Sequence, residues 1–227
     1  MVAIEFRRGR LATSLLVLAV LAGCSAESAE ETTPSQPPTS RSEFVPGEGN
    51  EDPSTKIEGV VVTEYDAVHA EQGQPVAYEI VPPNGGRHDP VWADCNGVVY
   101  RTPVRNENMV HSLEHGAVWI AYEPEQVTGA ALESLVERVE NQPYLMISPY
   151  PGMTSPISLQ AWGHQLQLTD ADDPRIDQFV EALRVNEYTS PEPGASCDPA
   201  GGGFDPANPP PLSPLPAPPG AAPVTGP

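Results

Sequence analysis

The amino-acid sequence predicts a single compact α+β domain in which a mainly antiparallel sheet packs against two helices, with disordered segments on both sides. Three observations lead to this prediction. The segments 25–56 and 198–227 are rich in acidic residues or in proline and poor in large apolar residues. The middle has several short runs of β-branched and aromatic residues, which are typical of strands. It also has two stretches with apolar residues at helical spacing. Because strands and helices do not alternate regularly, the order favours α+β over a succession of βαβ units.

Four segments follow from this uneven composition. Residues 1–24 are predicted to be a lipoprotein signal peptide, 25–56 a disordered acidic tether, 57–197 the folded domain and 198–227 a disordered proline-rich tail. The tether has too little apolar surface to offset the entropy lost on ordering. The tail favours extended polyproline conformations, which form no core.

Five runs in the folded segment are predicted strands because they are rich in Val, Ile, Tyr, Trp or Leu. They cover residues 59–63, 75–80, 117–122, 144–148 and 157–162. A Pro-Tyr-Pro-Gly turn separates the last two runs.

Two helices are predicted from apolar residues at positions i, i+3, i+4 and i+7. These positions are Leu132, Leu135, Val136 and Val139 in the first helix, and Ile176, Phe179, Val180 and Leu183 in the second. Pro124 suits the first turn of the first helix. Asp172 or Asp173 can cap the second, which Pro174 enters.

The first 24 residues indicate export and a lipid anchor. A basic segment, Arg7-Arg8-Gly9-Arg10, precedes an apolar run at 15–22 that is too short to cross a bilayer. The run ends in Leu-Ala-Gly-Cys at 21–24, which is similar to a bacterial lipobox. The prediction is an extracytoplasmic protein anchored to the cell membrane by lipidated Cys24. The alternative is an ordinary cleaved signal in which Cys24 is incidental, and the paired arginines leave the export route open.

The charge of the chain excludes one class of partner. Eleven Lys and Arg stand against 31 Asp and Glu, a formal charge of −20. Nucleic-acid affinity depends on Lys and Arg that neutralise phosphates, so no nucleic-acid partner is expected. Membrane contact is expected through the lipid and not through charge. The proline-rich tail is either a ligand for an envelope protein or a spacer.

Three cysteines are an odd number for an exported chain. If Cys24 is lipidated, Cys95 and Cys197 remain and can pair in only one way. Disulfides persist outside the cytoplasm, so this pairing is predicted. Two free thiols, or Cys95 as a metal ligand, are the alternatives.

Two of the five histidines, His111 and His115, lie four positions apart in the sequence. On a helical turn such side chains share a face and can bind one metal ion. In a strand they would be about 13 Å apart, at ~3.3 Å per residue. A metal site therefore requires a helical turn here, which Gly116 is placed to end before the next strand.

Other candidate ligands lie near this pair in the sequence. His88 occupies a turn-rich stretch, Met109 has an M-x-H spacing to His111, and His69 is a further imidazole. Thioether with imidazole suits copper, above all Cu(I), whereas imidazole with carboxylate suits zinc. Copper is slightly favoured. The alternative is structural: Met109 fills the core, His88 bonds to a loop carbonyl, and His111 and His115 brace a turn through Glu114.

The same stretch also matches H-x-x-E-H, the inverted zinc-protease motif, with Glu114 as the residue that activates water. The motif normally lies within a longer helix. The segment after Gly116 reads as strand, which makes the hydrolase a minor alternative.

The folded segment contains a series of distinctive motifs. They are Pro82-Pro83, Gly85-Gly86, His88, Trp92, Cys95, Val99-Tyr100, the run 106–120 with His-Ser-Leu-Glu-His-Gly, and the motifs at 148–152, 161–163, 171–175 and 192–194, with Cys197. In these residues the segment resembles a bacterial family, family 3105 of the domains of unknown function. The resemblance implies exported or membrane-attached proteins, often lipoproteins, and no established activity. It also implies that His69, His88, His111, His115, Cys95 and Cys197 occupy motif positions. His164 and Met109 depart from the family pattern.

Three functional hypotheses result. The first is a membrane-tethered extracytoplasmic lipoprotein that binds copper or zinc through His88, His111 and His115, with Met109 or His69 as a fourth ligand. The second is a non-enzymatic interaction module of the cell envelope whose histidines are structural. The third is the zinc hydrolase.

Overall fold

A six-stranded mixed sheet organises the computed structural model, which describes residues 42–198, 203–213 and 216–225. The predicted signal peptide, Cys24 and residues 25–41 of the tether lie outside the described residues. Within these ranges, no helix combines the length and the apolar character that crossing a bilayer requires.

The secondary structure of the described chain consists of eight strands, three α-helices and a short 3-10 helix. The strands are β1 (Val61–Val62), β2 (Val76–Ala77), β3 (Asn96–Val99), β4 (Val118–Tyr122), β5 (Leu145–Pro149), β6 (Ile157–Ala161), β7 (His164–Leu168) and β8 (Ala222–Pro223). The helices are α1 (Asn106–Glu114), α2 (Ala130–Val139) and α3 (Arg175–Leu183), and the 3-10 helix is Pro53–Lys56.

The main sheet has the strand order β1-β7-β6-β4-β5-β3. The pairs β1–β7, β7–β6 and β6–β4 are antiparallel, whereas β4–β5 and β5–β3 are parallel. The parallel pair β4–β5 is joined through α2, as such a pair requires a crossover connection. A separate parallel pair joins β2 to β8. The predicted α+β class with a mainly antiparallel main sheet is confirmed.

Strand β4 lies at the centre and divides the core into two apolar clusters. Its side chains alternate, so Ile120 belongs to one cluster and Trp119 to the other. The first cluster includes Leu135 of α2 and Phe179 of α3. The second includes Leu113 of α1. Helices α2 and α3 therefore pack on one face of the sheet, and α1 packs on the other.

Sequence patterns predicted the apolar elements better than the polar ones. The strands at 117–122, 144–148 and 157–162 and the helix at α3 agree with the structure. The run 75–80 contributes only the two residues of β2. The sequence patterns did not predict three elements of the structure. These are strand β3, strand β7 with its alternating glutamines, and the polar helix α1 apart from its last turn.

The first predicted helix begins later than Pro124 suggests. Backbone hydrogen bonds at the end of β4 form a local turn in which the Val127 amide donates to the Glu123 carbonyl at 2.9 Å. Gly129 then has φ +57°, outside the helical range, and α2 begins at Ala130. The Glu123 carboxylate also accepts from the Gly152 amide at 2.6 Å, so this turn is held against the loop after β5.

Parts of the tail pack on the domain, unlike the expectation for residues 198–227. Phe204 is buried and its ring lies 6.1 Å from that of Tyr100. The Arg105 amide donates to the Pro210 carbonyl at 2.9 Å, and β8 pairs with β2. Proline lacks an N–H donor but keeps its carbonyl, so a proline-rich segment can still accept hydrogen bonds from a folded surface.

The described part of the tether, 42–56, is also structured, unlike the expectation. Phe44 packs on the first apolar cluster. Asp52 caps the 3-10 helix by accepting from the Ser54 amide at 3.1 Å. One aromatic anchor and one cap thus extend the domain beyond the predicted start at residue 57.

Candidate functional site

Helix α1 carries the central residues of the site. Its last turn contains His111 and Glu114, and His115 is the C-terminal cap residue. Gly116 has φ +93°, and a Cβ there would lie 3.0 Å from Val185 Cα, so glycine is required where the chain leaves the helix for β4. The predicted helical turn followed by glycine is confirmed.

A short parallel bridge brings two further histidines to this helix. His69 and His88 are bridge partners. The His88 amide donates to the Val68 carbonyl at 3.1 Å, and the Ala70 amide donates to the His88 carbonyl at 2.7 Å. Backbone hydrogen bonds therefore set the two histidines side by side.

The imidazoles of His69, His88 and His111 surround the carboxylate of Glu114. The three ring centroids are 4.8, 5.0 and 4.9 Å apart. Glu114 Oε2 lies 2.9 Å from Nε2 of His88 and 3.7 Å from Nε2 of both His69 and His111. One donor atom from each of the four residues lies within 4.8 Å of the others. We call these four residues the histidine cluster, and its donor set could hold a metal ion.

Backbone carbonyls orient two of these rings. His88 Nδ1 donates to the Gly86 carbonyl at 2.8 Å, and His111 Nδ1 donates to the Asp89 carbonyl at 2.7 Å. A carbonyl only accepts, so the Nδ1 proton is in place and Nε2 is the atom turned toward Glu114. Histidine ligands in metal sites are oriented in the same way, by a hydrogen bond from the ring nitrogen that does not bind the metal.

His88 is bound at both ring nitrogens, since its Nε2 also contacts Glu114 Oε2 at 2.9 Å. His88 Nε2 is also the atom that this ring offers to a cation, so a bound ion takes the place of its direct contact with Glu114.

Burial and mutual contact shift the ionisation of the cluster. The pKa of His111 is lowered to about 4, mainly by burial and also by the neighbouring imidazoles of His88 and His115, whereas the hydrogen bond with the Asp89 carbonyl opposes this shift. Burial raises the pKa of Glu114, but the hydrogen bond with His88 and the adjacent imidazoles outweigh burial and lower it. At neutral pH His111 is neutral and Glu114 is ionised, which are the forms that bind metal.

A network of buried charged side chains adjoins the histidine cluster through Asp89. Arg105 Nη1 lies 2.6 Å from Asp89 Oδ2, and its Nε lies 3.2 Å from Glu107 Oε2. Asp89 and Glu107 are almost completely buried. Because the Asp89 carbonyl accepts from His111, the network fixes the backbone that orients this ring.

The remaining predicted site residues lie elsewhere. His115 is outside the histidine cluster and groups instead with Glu114 and Glu192. The side chain of Met109 is fully buried in the second apolar cluster. His164, which was not among the predicted site residues, donates from Nδ1 to the Trp162 carbonyl at 2.6 Å and pairs with Asp52, away from the cluster.

The structure adds one member that the predicted ligand set left out, Glu114. The signal was present in the H-x-x-E-H motif, where Glu114 was assigned to water activation. His111 and His115, the two histidines of that motif, belong to different donor sets, so the arrangement differs from one in which both bind the same ion.

The predicted disulfide is confirmed. Cys95 and Cys197 are bonded, with Cα atoms 4.8 Å apart and a sequence separation of 102. Both are buried. The alternatives of two free thiols and of Cys95 as a metal ligand are therefore wrong.

The comparisons with known proteins agree with these features. The family model described as protein of unknown function (DUF3105) matches residues 69–199, more than half of the chain. No curated protein and no solved structure matches the chain. The matched range begins at His69 and includes the whole histidine cluster and both bonded cysteines. The chain therefore belongs to the DUF3105 family.

Proposed function

We propose that this protein is an extracytoplasmic, lipid-anchored metal-binding protein whose histidine cluster holds one divalent transition-metal ion, with zinc best suited to the donors. The ligands are Nε2 of His69, His88 and His111 and a carboxylate oxygen of Glu114. The role is to bind the ion outside the cytoplasm.

The observation that carries this proposal is the convergence of oriented donors in a buried place. Three of the four cluster residues are at most 4 % exposed, and imidazole and carboxylate groups are rarely buried together unless they are paired or bind a cation. His88 and His111 are each held by a backbone carbonyl with Nε2 directed inward. The side chain of His69 is 51 % exposed, so an ion can enter from this side.

The spacing between the Glu114 carboxylate and the three imidazoles suits a tetrahedral ion. With bonds of about 2.0–2.1 Å, donors in a tetrahedral zinc site are ~3.3 Å apart. The three distances from Glu114 Oε2 to the imidazole nitrogens are 2.9, 3.7 and 3.7 Å. Adjustments of a few tenths of an ångström bring them to the tetrahedral value.

The donor chemistry favours zinc over Cu(I). Cu(I) selects soft sulfur ligands, whereas three imidazoles and one carboxylate are a zinc donor set. The thioether of Met109 was the reason to favour copper, and its side chain packs in the apolar core. The preference for copper expected from the sequence is therefore replaced by one for zinc.

Zinc is expected to stabilise the chelator-treated chain against unfolding. An ion that binds only the folded state at 100 times its Kd contributes about 2.7 kcal/mol. For a domain of this size that corresponds to an increase in Tm of about 5 to 10 °C. Thermal unfolding monitored by circular dichroism, with and without ZnSO4, measures this increase, and EDTA should reverse it.

His111→Ala is expected to remove most of this increase. His164→Ala is the matched control, because His164 is also buried and bonded to a backbone carbonyl but lies outside the cluster. Without zinc, the Tm of His164→Ala is expected to be lower than that of the wild-type chain. The increase in Tm on adding zinc is expected to persist in this variant. An unchanged Tm of the wild-type chain with Zn²⁺ and with Cu²⁺, or an equal response in His111→Ala, would contradict the proposal.

The lipid anchor is proposed from the Leu-Ala-Gly-Cys sequence that ends at Cys24. Cells fed radiolabelled palmitate are expected to label the wild-type protein and to retain it in the membrane fraction. Cys24→Ser should lose both the label and the membrane association. Membrane retention that does not change in this variant contradicts the anchor without bearing on the metal site.

A further inference from the structure

A second set of donors adjoins the histidine cluster. It consists of Glu114, His115 and Glu192, and one donor atom from each lies within 4.8 Å of the others. Glu114 belongs to both sets. The ring of His115 is 4.6 Å from that of His111, so the two sets lie directly against each other.

His115 is oriented in the same way as the cluster histidines. It is 3 % exposed, and its Nδ1 donates to the Ser196 carbonyl at 2.7 Å. Its Nε2 is 3.8 Å from Glu192 Oε2, beyond hydrogen-bond distance. Among the described residues, no hydrogen bond is made by this nitrogen. A buried imidazole whose Nε2 lies 3.8 Å from one carboxylate, with a second carboxylate in the same donor set, is suited to a cation.

The position of Glu192 is fixed by the backbone of the site itself. The Glu192 amide donates to the Glu114 carbonyl at 3.0 Å, and the Gly194 amide donates to the His115 carbonyl at 3.0 Å. The disulfide at Cys197 holds the same segment. Glu192 therefore differs from an acidic side chain on a free loop, although its side chain is 59 % exposed.

Trp92 connects the two sets. Its ring lies 5.3 Å from that of His111 and 5.0 Å from that of His115. One aromatic ring thus packs against a histidine of each set and restricts both imidazoles to their present orientation.

We infer that the site is dinuclear: a second divalent cation binds at His115 and Glu192, and Glu114 bridges it to the cation of the histidine cluster. This inference rests on the proposed function, because the first cation is the one proposed there. A carboxylate has two oxygens and can bind a different ion with each. Ions in two-metal sites are about 3.5–4 Å apart, a span that one bridging carboxylate covers.

The two positions differ in what they offer a cation. The first has three imidazoles and the shared carboxylate. The second has one imidazole and two carboxylates, with exposed Glu192 at its edge. The first position is therefore expected to bind zinc more tightly, and the second is expected to fill later in a titration and to retain positions for water.

The number of zinc ions bound tests this inference. Zn²⁺ is titrated into the chelator-treated full chain by isothermal calorimetry, and native mass spectrometry counts the ions retained. We expect two ions for the wild-type chain and one for Glu192→Gln, with the Kd of the first ion changed less than about threefold. Glu133→Gln is the matched control, because it removes one exposed acid on α2, and should retain two ions.

The possible outcomes separate the two claims. One ion in the wild-type chain overturns the dinuclear site and leaves the proposed function intact. No ion overturns both. Two ions in Glu192→Gln overturn the assignment of the second position. Because the Glu192 side chain is mostly exposed, the variant should fold, and an unchanged Tm without zinc checks this.

Discussion

Replacing Cys95 and Cys197 together by alanine is expected to lower the free energy of unfolding by about 4 to 5 kcal/mol. The disulfide closes a loop with a sequence separation of 102 residues. In the chain-entropy model, a crosslink of about 100 residues removes about 4.7 kcal/mol of conformational entropy from the unfolded state. Urea unfolding of wild type and variant, analysed by linear extrapolation, measures the difference.

Reduction provides the control for this variant. Dithiothreitol should destabilise the wild-type chain by a similar amount and leave the double alanine variant unchanged. Alanine is preferred to serine because both positions are buried, and a hydroxyl there would need a hydrogen-bond partner. A loss smaller than about 1 kcal/mol contradicts the prediction. The Ser196 carbonyl that orients His115 lies beside Cys197, so the variant is also expected to weaken the second cation position first.

Glu107→Ala is expected to destabilise the domain by about 3 to 5 kcal/mol. Glu107 is completely buried, and its carboxylate accepts from the Val76 amide at 2.8 Å and lies 3.2 Å from Arg105 Nε. Ser213 of the tail also donates to it at 3.2 Å. Removing one member of a buried ion pair leaves the partner charge and its hydrogen bonds uncompensated, which has a cost of this size.

Two matched variants separate burial from charge. Glu107→Gln keeps an acceptor for the Val76 amide and should cost less than the alanine variant. Arg138→Ala breaks an ion pair with Asp177 whose side chains are 23 % and 67 % exposed, and should cost less than about 1 kcal/mol. Urea unfolding of all three variants gives the comparison, and equal losses for Glu107→Ala and Arg138→Ala would refute the role of burial.

Glu114 is the residue on which both proposed cation positions depend. Because Glu114 belongs to both donor sets, Glu114→Gln affects both positions, whereas Glu192→Gln affects one. The pKa of Glu114 is lowered by His88 despite burial, so the carboxylate that the two donor sets share is ionised at neutral pH. The network of Arg105, Asp89 and Glu107 fixes the backbone behind the cluster and thereby limits how far the imidazoles move on binding.

The polar elements of the fold were the hardest to predict, and the reason is visible in α1. Each of its nine residues is buried, yet the sequence Asn-Glu-Asn-Met-Val-His-Ser-Leu-Glu has no clear apolar stripe. Its polar side chains are accommodated by distant partners. Asn106 donates to the Tyr150 hydroxyl at 3.2 Å, and Asn108 donates to the Val91 carbonyl at 2.7 Å. Patterns of hydrophobicity contain no information about such partners.

By itself, the sequence determined the fold class, the central strands, the helix at α3 and the family, because local apolar periodicity and short motifs are properties of neighbouring residues. It also predicted the cysteine pairing, because setting Cys24 aside leaves only one possible pair. The tertiary structure decided which histidines meet. A bridge between two loops places His69 beside His88, and the last turn of α1 directs His111 and Glu114 toward them while His115 turns to Glu192. Convergence of side chains from separate segments depends on where the backbone hydrogen bonds place those segments, and this is set only when the whole chain is packed.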